Sequence, residues 1–192
     1  MRISNKGHRF FSTEGRCYTY DSRGTGYGRG EGVGCVVIKS LEDALKDGDP
    51  IRAIIRSSVV GSDGKTPGIT MPSGDAQERI IRKAYEQAGL DPIDTGYVEA
   101  HGSGTAAGDP VEARAIAATL GKSRPVMKPL YVGSIKTNIG HLESASGIAG
   151  FIKAVLVLEK GYIPPNLNYD KPRDDLSLDK WNVKVKNREL SN

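Results

Sequence analysis

Residues 98–115, VEAHGSGTAAGDPVEARA, pass from an apolar segment through a run of small residues into a helix start. Between Ala100 and Pro110 the only large side chain is that of His101. The preceding "GYVEA" (96–100) reads as a strand. Asp109 as N-cap, Pro110 in the first turn and Glu112 three residues after the cap predict a helix running to Gly121. His101 therefore sits at the exit of a strand, with space cleared around it.

The same order recurs downstream. "PLYVGSIK" (129–136) reads as a strand ending at Lys136, and "TNIGH" then brings His141. "SASGIAGFIKAVLVLEKG" (144–161) follows as a helix that is apolar on nearly every face from Ile148 to Leu158. A helix of that kind belongs inside a larger assembly of layers. Strand, helix, strand, helix implies parallel pairing and an α/β fold. Both histidines then emerge at the C-terminal edge of one sheet, where open α/β sheets place ligands.

Upstream, "VGCVVIK" (33–39) and "IRAIIRSSVV" (51–60) read as strands, the first of them buried. "SLEDALKDG" between them reads as a short helix with Ser40 as N-cap and Gly48 as terminator. "GSDGKTPGITMPSGD" is a long connector and marks the internal boundary. Residues 75–88 form an amphipathic helix, with Asp75 and Glu78 as a capping box and Ala76, Ile80, Ala84 and Ala88 on one stripe broadened by Ile81. Gly89 ends it, and "WNVKVK" (181–186) is a candidate last strand.

The 192 residues, 38% hydrophobic and 26% charged, suit a folded globular chain rather than a disordered one. No apolar run reaches the roughly 18 residues that span a bilayer, and "MRISNKGHRFF" has no signal-peptide core, so a cytoplasmic location is expected. The net charge of +4 comes from basic residues interleaved with acids, which argues for a solvated surface and against nucleic-acid binding. Cys17 and Cys35 form no C-x-x-C pair and read as reduced thiols. "GTGYGRGEG" carries G-x-G-x-G without G-K-[ST] and without a clear preceding strand, so it is a poor phosphate loop.

Of three histidines, His8 lies in a polar stretch and suggests nothing. The edge with His101 and His141 would also carry Lys136 and the hydroxyls of Ser103, Thr105 and Thr137. Imidazoles can act as general base or as N–H donor to a developing oxyanion. A neighbouring ammonium disfavours their protonation, which keeps them neutral donors at cellular pH. A histidine after a strand can equally be a satisfied structural group, and the residues alone leave both readings open. The spacing matches no H-E-x-x-H or related metal set, so no metal is expected.

"VEAHGSGTAAGDPVEA" and "VGSIKTNIGHLESASGIAGFIKAVLVLEKGYIPPNLNY" resemble the two histidine motifs of β-ketoacyl synthase (ketosynthase) domains. "GRCYTYDSRGTGYGRGEG" and "DGDPIRAIIR" resemble them too, most of all in type I polyketide synthases of the fungal highly reducing kind. The resemblance implies a thiolase-like α/β fold, layered αβαβα and here incomplete, with residues 1–66 ending the N-terminal half and 67–192 starting the C-terminal half. It implies decarboxylative Claisen condensation of acyl and malonyl thioesters carried on the phosphopantetheine arm of acyl carrier protein, with no bound cofactor, in a homodimer of the full synthase. His101 and His141 would be the catalytic histidines and Lys136 their supporting lysine. Ser103, where members carry Thr, and Thr105 and Thr137 would line the pantetheine arm, and Asp109 would be a structural acid. A thiolase-like degradative enzyme usually replaces one histidine, so keeping both favours decarboxylation. The family's nucleophile is a cysteine at a helix N-terminus, and neither Cys17 nor Cys35 precedes a helix in that way. The chain thus looks like the middle of a synthase domain without its nucleophile, inactive alone and rich in exposed apolar surface. The alternative is a non-catalytic remnant that binds a carrier protein or a synthase partner.

Overall fold

The computed structural model describes residues 10–68, 70–121 and 124–187. His8 lies outside them. Eight elements carry the architecture: α1 (Leu41–Asp47), α2 (Gly74–Ala88), β1 (Tyr97–Glu99), α3 (Gly108–Ile116), β2 (Leu130–Gly133), α4 (Lys136–Ile139), α5 (Ser146–Lys160) and β3 (Val183–Val185). A π-helical turn, Ala117–Gly121, extends α3 to the glycine expected as its end.

The sheet is parallel in the order β1-β2-β3. Val98 lies opposite Val132, and Val132 opposite Val185. Successive residues of a strand face opposite sides. On β1, Val98 packs into the core shared with Ile116 and Leu120, while Glu99 faces α5 through Lys153. Helices α2 and α3 therefore cover one face, and α5 covers the other. Leu130 and Val132 are almost fully enclosed, and burying such a side chain stabilises by roughly 1.5–3 kcal/mol.

Local chemistry sets the helix ends. Ser40 caps α1 by accepting the Asp43 N–H, and Gly48 closes it in the left-handed region at φ 70°. The N-cap of α2 is Ser73, which accepts the Ala76 N–H, not Asp75 as its sequence pattern suggests. The apolar stripe on α2 is placed as expected, with Ala76 buried and Ile81 packed on the core. Asp109 does not cap α3 in the expected way. The N-cap position is Ala107, without a side-chain bond, and Asp109 lies inside the helix and points elsewhere. The strand containing Lys136 stops at Gly133, so Lys136 opens α4 instead.

Two expected strands do not form. Residues 33–39 and 51–60 join no sheet among the described residues. A strand needs a neighbour to satisfy its ladder, and neither segment finds one here. Val33, Val37 and Val60 are 93%, 100% and 98% exposed, and Cys35, expected in a strand core, is exposed as well. On α5, Leu156 and Leu158 also face outward. This much open apolar surface marks a face built to be covered. Produced as 192 residues alone, the chain is expected to bind a hydrophobic dye in native buffer and to elute as mixed oligomers on size exclusion. A monodisperse, dye-silent monomer would contradict this.

Candidate active site

The two histidine loops meet at the C-terminal edge of the sheet, as the repeated strand–helix order implies. The rings of His101 and His141 stand 5.3 Å apart between centroids, edge to face. They share a cavity of ≈ 600 Å³ with Glu99, Lys136, Gly150 and Phe151.

Two carboxylates of α3, Asp109 buried and Glu112 half-buried, hold the first loop. Glu112 accepts the backbone N–H of His101 at 2.6 Å, that of Gly102 at 2.8 Å and the Tyr20 hydroxyl at 3.2 Å. Asp109 accepts the N–H of Tyr20 at 2.8 Å, Gly104 at 2.9 Å and Thr105 at 3.3 Å. The residues read as a helix cap and its capping-box partner thus serve the histidine loop and the N-terminal loop instead. Burial pushes Asp109 up to about 7, against the pull of its N–H donors. Burial also raises Glu112, which the Gly102 and His101 N–H groups and Lys136 oppose.

The segment from Cys17 to Gly30 is a brace rather than a free loop. Thr19 donates its hydroxyl to the Gly102 carbonyl, and the Gly26 N–H bonds the Gly104 carbonyl at 3.1 Å. The His141 N–H donates to Gly28 at 2.7 Å, and the Gly30 N–H returns a bond to the His141 carbonyl at 3.0 Å. The small residues after His101 make room for this brace. At Gly104, φ is +83° and a Cβ would lie 2.7 Å from the Tyr18 nitrogen.

The imidazoles sit in an environment that disfavours charge. His101 is pushed down to about 4, by desolvation first and then by Lys136 and His141. His101 is nonetheless an exposed residue lining the cavity, so solvent screens part of this. His141 is lowered by burial and by Lys136. The Glu143 N–H donates to His141 Nδ1 at 2.9 Å, which leaves the neutral ring its proton on Nε2. Tyr27, which the sequence did not single out, packs on His141 with centroids 4.9 Å apart. Burial pushes the Lys136 ammonium down, while Glu112 and Glu99 favour its charge. The cavity therefore offers two neutral imidazoles beside a lysine, suited to donate to an oxygen that gains negative charge.

The three hydroxyls lie outside this cavity. Ser103 is buried and shares a 3.3 Å contact with Thr105, whose Oγ1 also accepts the Gly108 N–H. Thr137 is buried and donates to the Ser134 carbonyl at 2.9 Å. The Cys17 thiol is also enclosed, bonded to Gly28 on both sides and raised by burial. Among the described residues, no group of three or more His, Cys, Asp or Glu could hold a metal ion, and no helix is long and apolar enough to cross a membrane.

The comparisons with known proteins give the family of the chain. Residues 52–170 match the family model "Beta-ketoacyl synthase, C-terminal domain", and residues 3–44 match "Beta-ketoacyl synthase, N-terminal domain". The chain belongs to the β-ketoacyl synthase family. It is 58% identical over 179 residues to Highly reducing polyketide synthase 40 of Fusarium pseudograminearum, covering 92% of this chain and 7% of that protein. A highly reducing polyketide synthase of Aspergillus terreus is 58% identical over 174 residues, 91% of this chain and 7% of its own length. The ketosynthase from module 6 of the bacillaene synthase of Bacillus subtilis 168 superposes with a TM-score of 0.88 at 37% identity, over 93% of this chain and 32% of that one. The oxazolomycin ketosynthase domain of Streptomyces albus gives 0.87 at 37%, over 93% and 31%. The fold is thus part of the thiolase-like fold of ketosynthases, and the chain spans about a third of those solved domains.

Asp109→Ala would leave three backbone donors without their acceptor. Charged hydrogen bonds are worth about 1.5–3 kcal/mol. Amide exchange in peptides containing Tyr20 and Gly104 is expected to quicken roughly 100-fold, equivalent to about 3 kcal/mol. Hydrogen-exchange mass spectrometry checks this, and unchanged protection would mean that the carboxylate does not hold the loops.

Proposed function

We propose that this chain supplies the histidine pair of a ketosynthase active site, where a malonyl thioester loses carbon dioxide before condensation. The observation that carries the reading is the pair of imidazoles 5.3 Å apart in a cavity shared with Lys136. His141, with its proton on Nε2, and His101 would donate to the thioester oxygen as the enolate forms. Lys136 would keep both rings neutral and add its field to the developing charge. The malonyl group would arrive on the phosphopantetheine arm of an acyl carrier protein, within a dimeric synthase. Thr105, half-buried, is the hydroxyl of the three best placed to meet that arm, since Ser103 and Thr137 are enclosed.

Condensation also needs an acyl-accepting thiolate. Cys17 is buried with a raised pKa, and Cys35 lies in a segment without helix, so neither has the activated setting of a nucleophile. The acyl acceptor would be a cysteine outside these residues, and the 192 residues alone would form no β-ketoacyl product.

In the full-length polypeptide that the gene encodes, His101→Ala and His141→Ala are each expected to slow carbon dioxide release from malonyl carrier protein by about 10²–10⁴-fold. Wild-type rates in either variant would overturn the assignment. The pH profile gives a second check. A lowered histidine pKa means that the neutral, active form persists as pH falls, and is lost only toward the lowered value. The acid limb is therefore expected below pH 6.5, the ordinary histidine value, and a limb at or above it would contradict the account.

A further inference from the structure

Glu99 ends β1, two residues before His101, and its side chain is 9% exposed. Its Oε2 pairs with Lys153 Nζ at 2.8 Å and accepts the Tyr97 hydroxyl. Its Oε1 accepts the Ile135 N–H at 2.6 Å. Lys153 is 8% exposed and also lies over the Tyr97 ring, 5.6 Å from its centroid. The helix is bare where the glutamate crosses it. A Cβ on Gly150 would stand 3.2 Å from Glu99 Cγ.

One carboxylate is therefore bonded to three elements at once: β1, the turn that opens α4, and α5. Each adjoins one group of the cavity. His101 follows Glu99, Lys136 follows Ile135, and His141 shortly precedes α5. Glu99 itself lines the cavity. Stability alone gives little reason for such a pair, because an apolar pair of similar size often holds a fold as well without desolvating two charges.

We propose that Glu99, held by Lys153, is a positioning residue that sets the separation of His101, Lys136 and His141. The catalytic consequence rests on the decarboxylation reading given above; the positioning does not. Glu99 also acts on Lys136 by its charge. The groups that favour the Lys136 ammonium are Glu112 and Asp109 from α3, Glu99 from β1 and Cys17 from the brace, with His101 and His141 as its neighbours in the cavity. Removing the Glu99 charge makes Lys136 lose its proton more readily. Removing Lys153 leaves the Glu99 charge uncompensated and has the opposite effect on Lys136.

The test uses E99Q, K153M and the double variant in the full-length polypeptide. E99Q keeps the size of the side chain and an acceptor oxygen, and the double variant leaves neither charge unpaired. Competitive acetylation of Lys136 with acetic anhydride, followed across pH by mass spectrometry, reads its titration midpoint. That midpoint is expected to fall in E99Q and to rise in K153M. Malonyl decarboxylation is expected to lose about tenfold or more in kcat in both single variants, with KM little changed, and to stay low in the double variant. A midpoint that does not move, or moves the same way in both single variants, overturns the proposal, as does a double variant with wild-type kcat. If the wild type does not decarboxylate malonyl carrier protein, the functional reading fails while the acetylation midpoints still decide the role of Glu99.

Discussion

The site depends on two carboxylates that a helix carries into the protein interior. Asp109 and Glu112, three residues apart in α3, face the same way and between them accept five backbone N–H groups and one hydroxyl. A glycine-rich turn cannot satisfy its own backbone donors once it is buried, and unpaired donors are costly. Here the helix supplies the acceptors. The same two side chains also catch Tyr20 of the N-terminal segment, so the brace and the histidine loop are locked to one anchor.

That lock has an electrostatic result. Enclosing the loops takes water from around the imidazoles, and Lys136 adds a like charge beside them. Both effects hold the rings neutral. A neutral imidazole still has one N–H to donate, and donors fixed in advance need no reorganisation when charge develops on a substrate oxygen. On the other face of the sheet, Glu99 and Lys153 join β1 to α5. The cavity is thus clamped from both sides of a three-stranded sheet.

The sequence shows some of this plainly. The alternation of apolar strands with capped helices predicts the parallel pairing of β1 and β2 and the meeting of His101 with His141, because both follow from topology. The helix ends at Gly48 and Gly89 are legible for a local reason, the left-handed conformation that glycine accepts. What fails is anything decided by distant partners. Residues 33–39 and 51–60 have strand composition but find no neighbouring strand. Asp109 and Glu112 look like a capping box, and only the arrival of Tyr20 and the His101 loop shows their use. Ser103 and Thr137 are both buried, the second with its hydroxyl on the Ser134 carbonyl, which their small polar character alone does not reveal. The role of Glu99 carries no local signal, since beside the nearby Tyr97 hydroxyl its partners lie 36 residues away at Ile135 and farther along at Lys153.

The most direct measurement is a structure of the full-length polypeptide with a malonyl thioester analogue that cannot lose carbon dioxide. The account predicts the thioester oxygen within about 2.7–3.2 Å of a ring nitrogen of both His101 and His141. A thioester oxygen bound away from both rings, with the histidines bonded only to protein, would contradict it.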